Sequence, residues 1–67
     1  MTYENMIQAI AEKAYKYEND YNKLSEAAAR KGEGEIWGMI KATAMMFNKS
    51  NGKVQEEVNE LVEAMYN

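Results

Sequence analysis

Apolar side chains recur along the first 28 residues at spacings that alternate between four and three. This heptad pattern is typical of a helix that packs nearly parallel or antiparallel to its neighbours. The chain contains no proline and is rich in Ala, Glu, Lys and Met, which favours helix in the remaining residues as well. The sequence therefore predicts an all-α fold. The first apolar seam consists of Tyr3, Ile7, Ile10, Ala14, Tyr17, Tyr21, Leu24 and Ala28.

Glycine-containing turns divide the chain into three predicted helices. Thr2 is a suitable N-cap for the first helix. Gly32 and Gly34 indicate that this long helix ends near them, because glycine commonly terminates a helix. The two shorter helices should fold back along the first one as a helical hairpin, which makes residues 1–67 a single domain. The predicted helices cover residues 3–31, 35–48 and 53–65.

The length of 67 residues limits how the fold can be stabilised. Below roughly 70–80 residues a single core rarely supplies more than about 3–5 kcal/mol, so small domains add disulfides, metals or further subunits. The chain has no cysteine for a disulfide and no histidine for a structural zinc site. We therefore expect oligomerisation to complete the core.

The second predicted helix is apolar nearly all round. From Ile36 to Phe47 the polar side chains are Lys41 and Thr43. A helix of this kind must be buried on nearly all sides, and two neighbouring helices cannot cover it. We predict that a second copy of the chain, or another protein, covers the rest. A purely homo-oligomeric core and a groove for a different protein are both compatible with the pattern, and both can hold at once.

Six residues of this segment are the predicted self-association or partner-binding site. Methionines are flexible and are common at surfaces that adapt to a partner, and tryptophan is a frequent hot spot. Gly34, Gly38 and Ala42 lie four residues apart, a spacing of small residues that lets two helix backbones approach closely. The predicted site residues are Trp37, Gly38, Met39, Met45, Met46 and Phe47.

The composition argues against several other functions. A net charge of −3 opposes general nucleic-acid binding, which depends on Lys and Arg at phosphates. Without histidine and cysteine the chain lacks the commonest general base and the best nucleophile, so we expect no enzyme activity, no cofactor and no metal. The longest apolar run is shorter than the roughly 20 residues of a membrane span. The amino terminus lacks a signal-peptide pattern, so we expect a cytoplasmic location.

A stripe of basic residues provides an alternative hypothesis. With nearby tyrosines, it could bind a free nucleotide between subunits through charge-assisted hydrogen bonds. The other interpretation is that the stripe faces Glu57 and Glu60 of the acidic third helix and merely orients the hairpin. The stripe consists of Lys16, Lys23 and Arg30, and Lys41 completes the predicted anion or nucleotide contact.

Residues 54–65 resemble the first metal-binding motif of the MazG-like nucleotide pyrophosphohydrolases. Those proteins are all-α oligomers that hold magnesium on an E-E-x-x-E helix and a following E-x-x-D helix. Glu56, Glu57 and Glu60 match the first motif, but the chain contains no E-x-x-D. The resemblance implies at most a reduced enzyme of this family, and we expect these carboxylates to form a solvated face.

The whole chain also resembles, in style, the small accessory proteins of bacteriophages. The similarity lies in its size, its acidic and cysteine-free composition, and a glycine-flanked helix start over residues 31–42. It implies a protein that inhibits a host enzyme or defence complex, or one that sequesters a signalling nucleotide. Our first hypothesis is a non-enzymatic homo-oligomer that binds and inhibits a macromolecular partner.

Overall fold

The computed structural model describes residues 2–66, which form three α-helices around one core. The N-terminal helix packs against both later helices, which also contact each other. The all-α class and this arrangement confirm the fold predicted from the sequence. The helices are α1 (Tyr3–Asp20), α2 (Glu26–Met46) and α3 (Asn51–Tyr66), and a short 3-10 turn (Tyr21–Lys23) joins α1 to α2.

The first break in the helices lies at residues 21–25, whereas the sequence predicted it at 32–34. Asn19, Asp20 and Asn22 are poor helix formers, because their side chains compete for the backbone hydrogen bonds. Ser25 then starts a new helix, and its hydroxyl accepts a hydrogen bond from the Ala28 N–H at 3.2 Å. Consequently α2 runs through Gly32 and Gly34 without interruption and is the longest helix in the described residues.

Local hydrogen bonds define the helix ends. Each helix follows a hydroxyl side chain that accepts from a backbone N–H three residues later, at 3.1 to 3.2 Å. At the end of α2, Asn48 adopts a positive φ of 56°, and the Lys49 N–H reaches back to the Ala44 carbonyl at 2.8 Å. This is a Schellman motif, in which asparagine is the usual alternative to glycine. The capping residues are Thr2, as predicted, with Ser25 and Ser50.

The core lies between the inner faces of the three helices. Thr43 of α2 is fully buried within it, and its Oγ1 makes no hydrogen bond in the described part of the chain. The apolar residues around Thr43 are small or medium in size, so the core is compact but limited in area. They are Ile7, Ile10, Ala11, Ile40, Ala44, Val54, Val58 and Val62.

Gly32 of α2 lies in close contact with α1. A β-carbon at this position would lie 2.9 Å from Cδ2 of the Tyr17 ring. The Tyr17 hydroxyl donates a hydrogen bond to the Ala29 carbonyl at 3.1 Å, which holds the ring against α2. Gly34, by contrast, has open space where a β-carbon would be. The two glycines therefore differ in what a methyl group would cost.

Substituting these glycines separates helix propensity from packing. We expect Gly34→Ala to raise the free energy of unfolding by about 1 kcal/mol, since alanine is the better helix former and nothing obstructs it. In Gly32→Ala the same gain is offset, because the methyl group displaces the Tyr17 ring. Urea unfolding of both variants, at a concentration where the chain is monomeric, measures the difference. Equal stabilisation by the two substitutions would contradict the Tyr17–Gly32 contact.

Candidate functional site

The predicted partner-binding residues divide between two sides of α2. Met45 is 83% exposed, Met46 is 66% exposed and Trp37 is 38% exposed. Gly38 is also exposed, and a β-carbon there would meet nothing within 4 Å. Gly38, Met45 and Met46 share the side of α2 that faces away from α1 and α3, and Trp37 lies at the edge of that side next to α1.

Met39 and Phe47 lie on the other side. Met39 is half-buried and packs against the core. Phe47 is half-buried as well, and its ring meets the ring of Tyr3 edge-on at 5.3 Å between centroids. The structure therefore places these two residues in the packing between helices and not with the exposed four.

The exposed side of α2, here called the α2 outer face, carries small and apolar side chains between Gly34 and Met46, with the exposed charged residues Lys31 and Glu35 beside them. Gly34, Gly38 and Ala42 follow one another along its middle, where Met45 also lies. Trp37 and Met46 lie at its two edges. Lys41 is its central charge and makes no ion pair with any described residue. At one edge, Glu35 pairs with Lys13 of α1 at 2.9 Å, and this ion pair lowers the pKa of the Glu35 carboxyl. The face consists of Gly34, Trp37, Gly38, Lys41, Ala42, Met45 and Met46.

The residues of the predicted basic stripe do not share one surface, because the chain turns at residues 21–25. Lys16 lies on α1 and lines a cleft with Lys13, Tyr17 and Asp20. Arg30 lies on α2, lines a different cleft, and pairs with Glu26 at 2.6 Å.

Lys23, on the 3-10 turn, and Lys41, on the α2 outer face, are exposed. In residues 2–66 neither the three stripe residues nor Lys41 forms an ion pair with α3. Ion pairs between the basic stripe and the acidic third helix therefore do not hold the helices together. The nucleotide hypothesis stays a prediction, without a shared cleft that would support it.

The three glutamates of the acidic motif in α3 lie in different environments. Glu57 is half-buried and accepts a hydrogen bond from the Tyr3 hydroxyl, while Glu56 and Glu60 are exposed. Burial of the phenol, followed by the bond to Glu57, raises the pKa of Tyr3 to about 12. Within residues 2–66 no group of three carboxylates is placed to hold a metal ion. Glu57 therefore ties α1 to α3 in this structure.

The sequence did not indicate a cleft that forms where the 3-10 turn brings α1 beside α2. Its walls include Tyr17 and Tyr21, whose rings meet edge-on at 5.7 Å, and Trp37. Glu18 and Glu33 also line it. The sequence predicted Trp37 as a site residue but did not place Tyr21 beside it, because a helix continuing to residue 31 would carry Tyr21 away from Trp37. The signal that could have found them was the Asn19–Asn22 segment followed by Ser25.

Comparisons with known proteins give no indication of a function for this chain. No family model matches this chain, and neither a curated protein nor a solved structure was found that is significantly similar to it. None of the helices in residues 2–66 is both long enough and apolar enough to cross a membrane.

Proposed function

We propose that this chain is a non-enzymatic interaction protein, which assembles with a second copy through the α2 outer face and inhibits a macromolecular partner by binding it. The observation that supports this is the exposure of Trp37, Met45 and Met46 on one side of one helix. Large exposed apolar patches, above roughly a few hundred Å², are uncommon on monomeric proteins and usually mark an interaction site. The resemblance to phage accessory proteins stays a prediction.

The solvent-accessible surface area of the chain is larger than expected for a monomer, which supports a surface that a second copy covers. The chain exposes 4760 Å². A folded monomer of this mass is expected to expose about 4300 Å². The excess of about 400 Å² has the sign expected for a chain with an uncovered contact, and a stable interface would bury about 600–1,000 Å² on each protomer.

A second copy suits this face for two reasons. Gly38 and Ala42 are small and exposed, so two α2 backbones can approach closely along them. A two-fold contact also brings the same residues together from both chains, so the apolar edge of one face meets an equally apolar edge. Lys41 can follow the contact with its aliphatic stem and keep its ammonium group in water.

The mode of action follows from the composition. A chain without histidine and cysteine lacks the side chains that most often act as general base or nucleophile. Binding is therefore the activity that we expect. Inhibition would result when the assembled chain occupies a surface that its target needs.

A carboxylate added to the α2 outer face should weaken assembly. We expect the wild-type mass, measured by light scattering over a concentration series, to approach twice the monomer mass of 7.7 kDa. In Met45→Glu the dissociation constant should rise at least about tenfold, because two carboxylates would be desolvated at the interface.

The matched control is Asn59→Glu, which adds the same charge at an exposed position of α3. It should assemble like the wild type. A wild-type mass that stays monomeric at all concentrations would refute self-association, as would a Met45→Glu variant that assembles normally.

A further inference from the structure

The cleft between α1, the 3-10 turn and α2 combines aromatic rings with carboxylates. Three rings from three different elements surround it, those of Tyr17, Tyr21 and Trp37. Glu18 and Glu33 supply two carboxylates, and the remaining lining residues are Ala14 and Ile36. The lining contains no basic side chain, so nothing in this part of the chain neutralises the two acids from within the cleft.

The walls of the cleft are held in position by contacts that do not involve a ligand. The Tyr17 hydroxyl donates to the Ala29 carbonyl at 3.1 Å, and its ring rests against Gly32. The Tyr21 ring stands edge-on to the Tyr17 ring, with an interplanar angle of 74°. Glu18 accepts a hydrogen bond from the Tyr66 hydroxyl at 3.2 Å, which directs its carboxylate. These contacts position Tyr17, Tyr21 and Glu18 without a ligand.

Such a lining attracts positive charge. The faces of tyrosine and tryptophan rings carry negative potential and bind ammonium and guanidinium groups within about 6 Å. Carboxylates beside the rings add Coulomb attraction and accept charge-assisted hydrogen bonds. An ammonium group packs on a tyrosine ring elsewhere in the chain, where Lys49 Nζ lies 4.6 Å from the centroid of the Tyr3 ring.

We propose that this cleft is a binding site for an organic cation. The ligand group is an ammonium or guanidinium, carried either by a basic side chain of a partner protein or by a free quaternary ammonium compound. This inference goes beyond the proposed self-association, since Trp37 is the one residue that the cleft shares with the α2 outer face.

The chain carries its own reporter for this site. Trp37 is the single tryptophan, so its fluorescence reports on the cleft. We would titrate tetramethylammonium chloride and N-acetyl-arginine amide separately, with sodium chloride at matched ionic strength as the baseline. Saturation by the arginine derivative alone would identify a basic protein side chain as the ligand. Saturation by tetramethylammonium alone would identify a free quaternary ammonium.

Variants connect the signal to the proposed lining. Glu33→Gln and Tyr21→Ala change exposed side chains and should each weaken binding about two- to fivefold. Glu12→Gln removes an exposed carboxylate of α1 that does not line the cleft, so it should bind like the wild type. The titration is repeated in the Met45→Glu background, where the result does not depend on assembly. A response no different from that of sodium chloride would overturn the proposal, as would equal binding by all variants.

Discussion

Replacing Ile10 by alanine is expected to lower the free energy of unfolding by about 3 kcal/mol. Ile10 is completely buried on α1, among core side chains from all three helices. Truncation removes favourable apolar transfer and leaves a cavity that a close-packed interior cannot refill. A single core of this size supplies only about 3–5 kcal/mol, so the variant should be partly unfolded without denaturant. Urea unfolding followed by circular dichroism measures the loss.

The control for this experiment is Glu12→Ala, at an exposed position two residues along the same helix. Its free energy of unfolding should remain within about 0.5 kcal/mol of the wild type, as is usual for surface substitutions. A loss below about 1 kcal/mol for Ile10→Ala would mean that this residue is not packed as the structure shows.

Replacing Thr43 by valine is expected to raise the free energy of unfolding by about 1–2 kcal/mol. The Thr43 side chain is fully buried, and its Oγ1 has no hydrogen-bond partner among the described residues. A buried hydroxyl without a partner costs about 1–3 kcal/mol, because it loses its hydrogen bonds to water. Valine has nearly the same shape and is also β-branched, so the substitution removes that cost with little change in packing. The midpoint of urea unfolding should move to higher concentration.

Thr43→Ser provides the opposite change at the same position. It keeps the hydroxyl and deletes the buried methyl group, so we expect a loss of about 1 kcal/mol. The signs of the two effects therefore distinguish the cost of the hydroxyl from the value of the methyl group. A valine variant less stable than the wild type would show that the hydroxyl is hydrogen-bonded in solution.

The sequence predicted the helices better than it predicted which residues their faces bury. In the first seam Ile7 and Ile10 are buried as expected, but Ala11 is buried more deeply than Ala14. In α3 the buried residues are Val54, Val58 and Val62, whereas Leu61, which a strict heptad would bury after Val58, is half-buried. A strict heptad seam assumes contact with one neighbour along a narrow line. Each helix here packs against two others, so its buried stripe is wider.

The misplaced break shows how local and distant signals compete. The apolar spacing continues through Tyr21 and Leu24 and favours one long helix, whereas the Asn19–Asn22 segment and Ser25 favour a break. The glycines at positions 32 and 34 were the stronger local signal for the end of the helix. One of them instead lies under the Tyr17 ring, in a contact that spans 15 residues of the sequence. No local pattern indicates a glycine that is needed for close packing.

Several features follow from the sequence alone, because they depend on contacts within a few residues. They include the all-α class, the N-cap at Thr2 and the apolar character of the segment from Ile36 to Phe47. The exposed side of α2 was decided only by the tertiary structure. The apolar residues of α2 occur on all sides of the helix, so their spacing does not indicate which side is buried. The positions of α1 and α3 determine which residues are covered. The same packing brings Tyr21 beside Trp37, because the break at residues 21–25 folds α2 back onto α1.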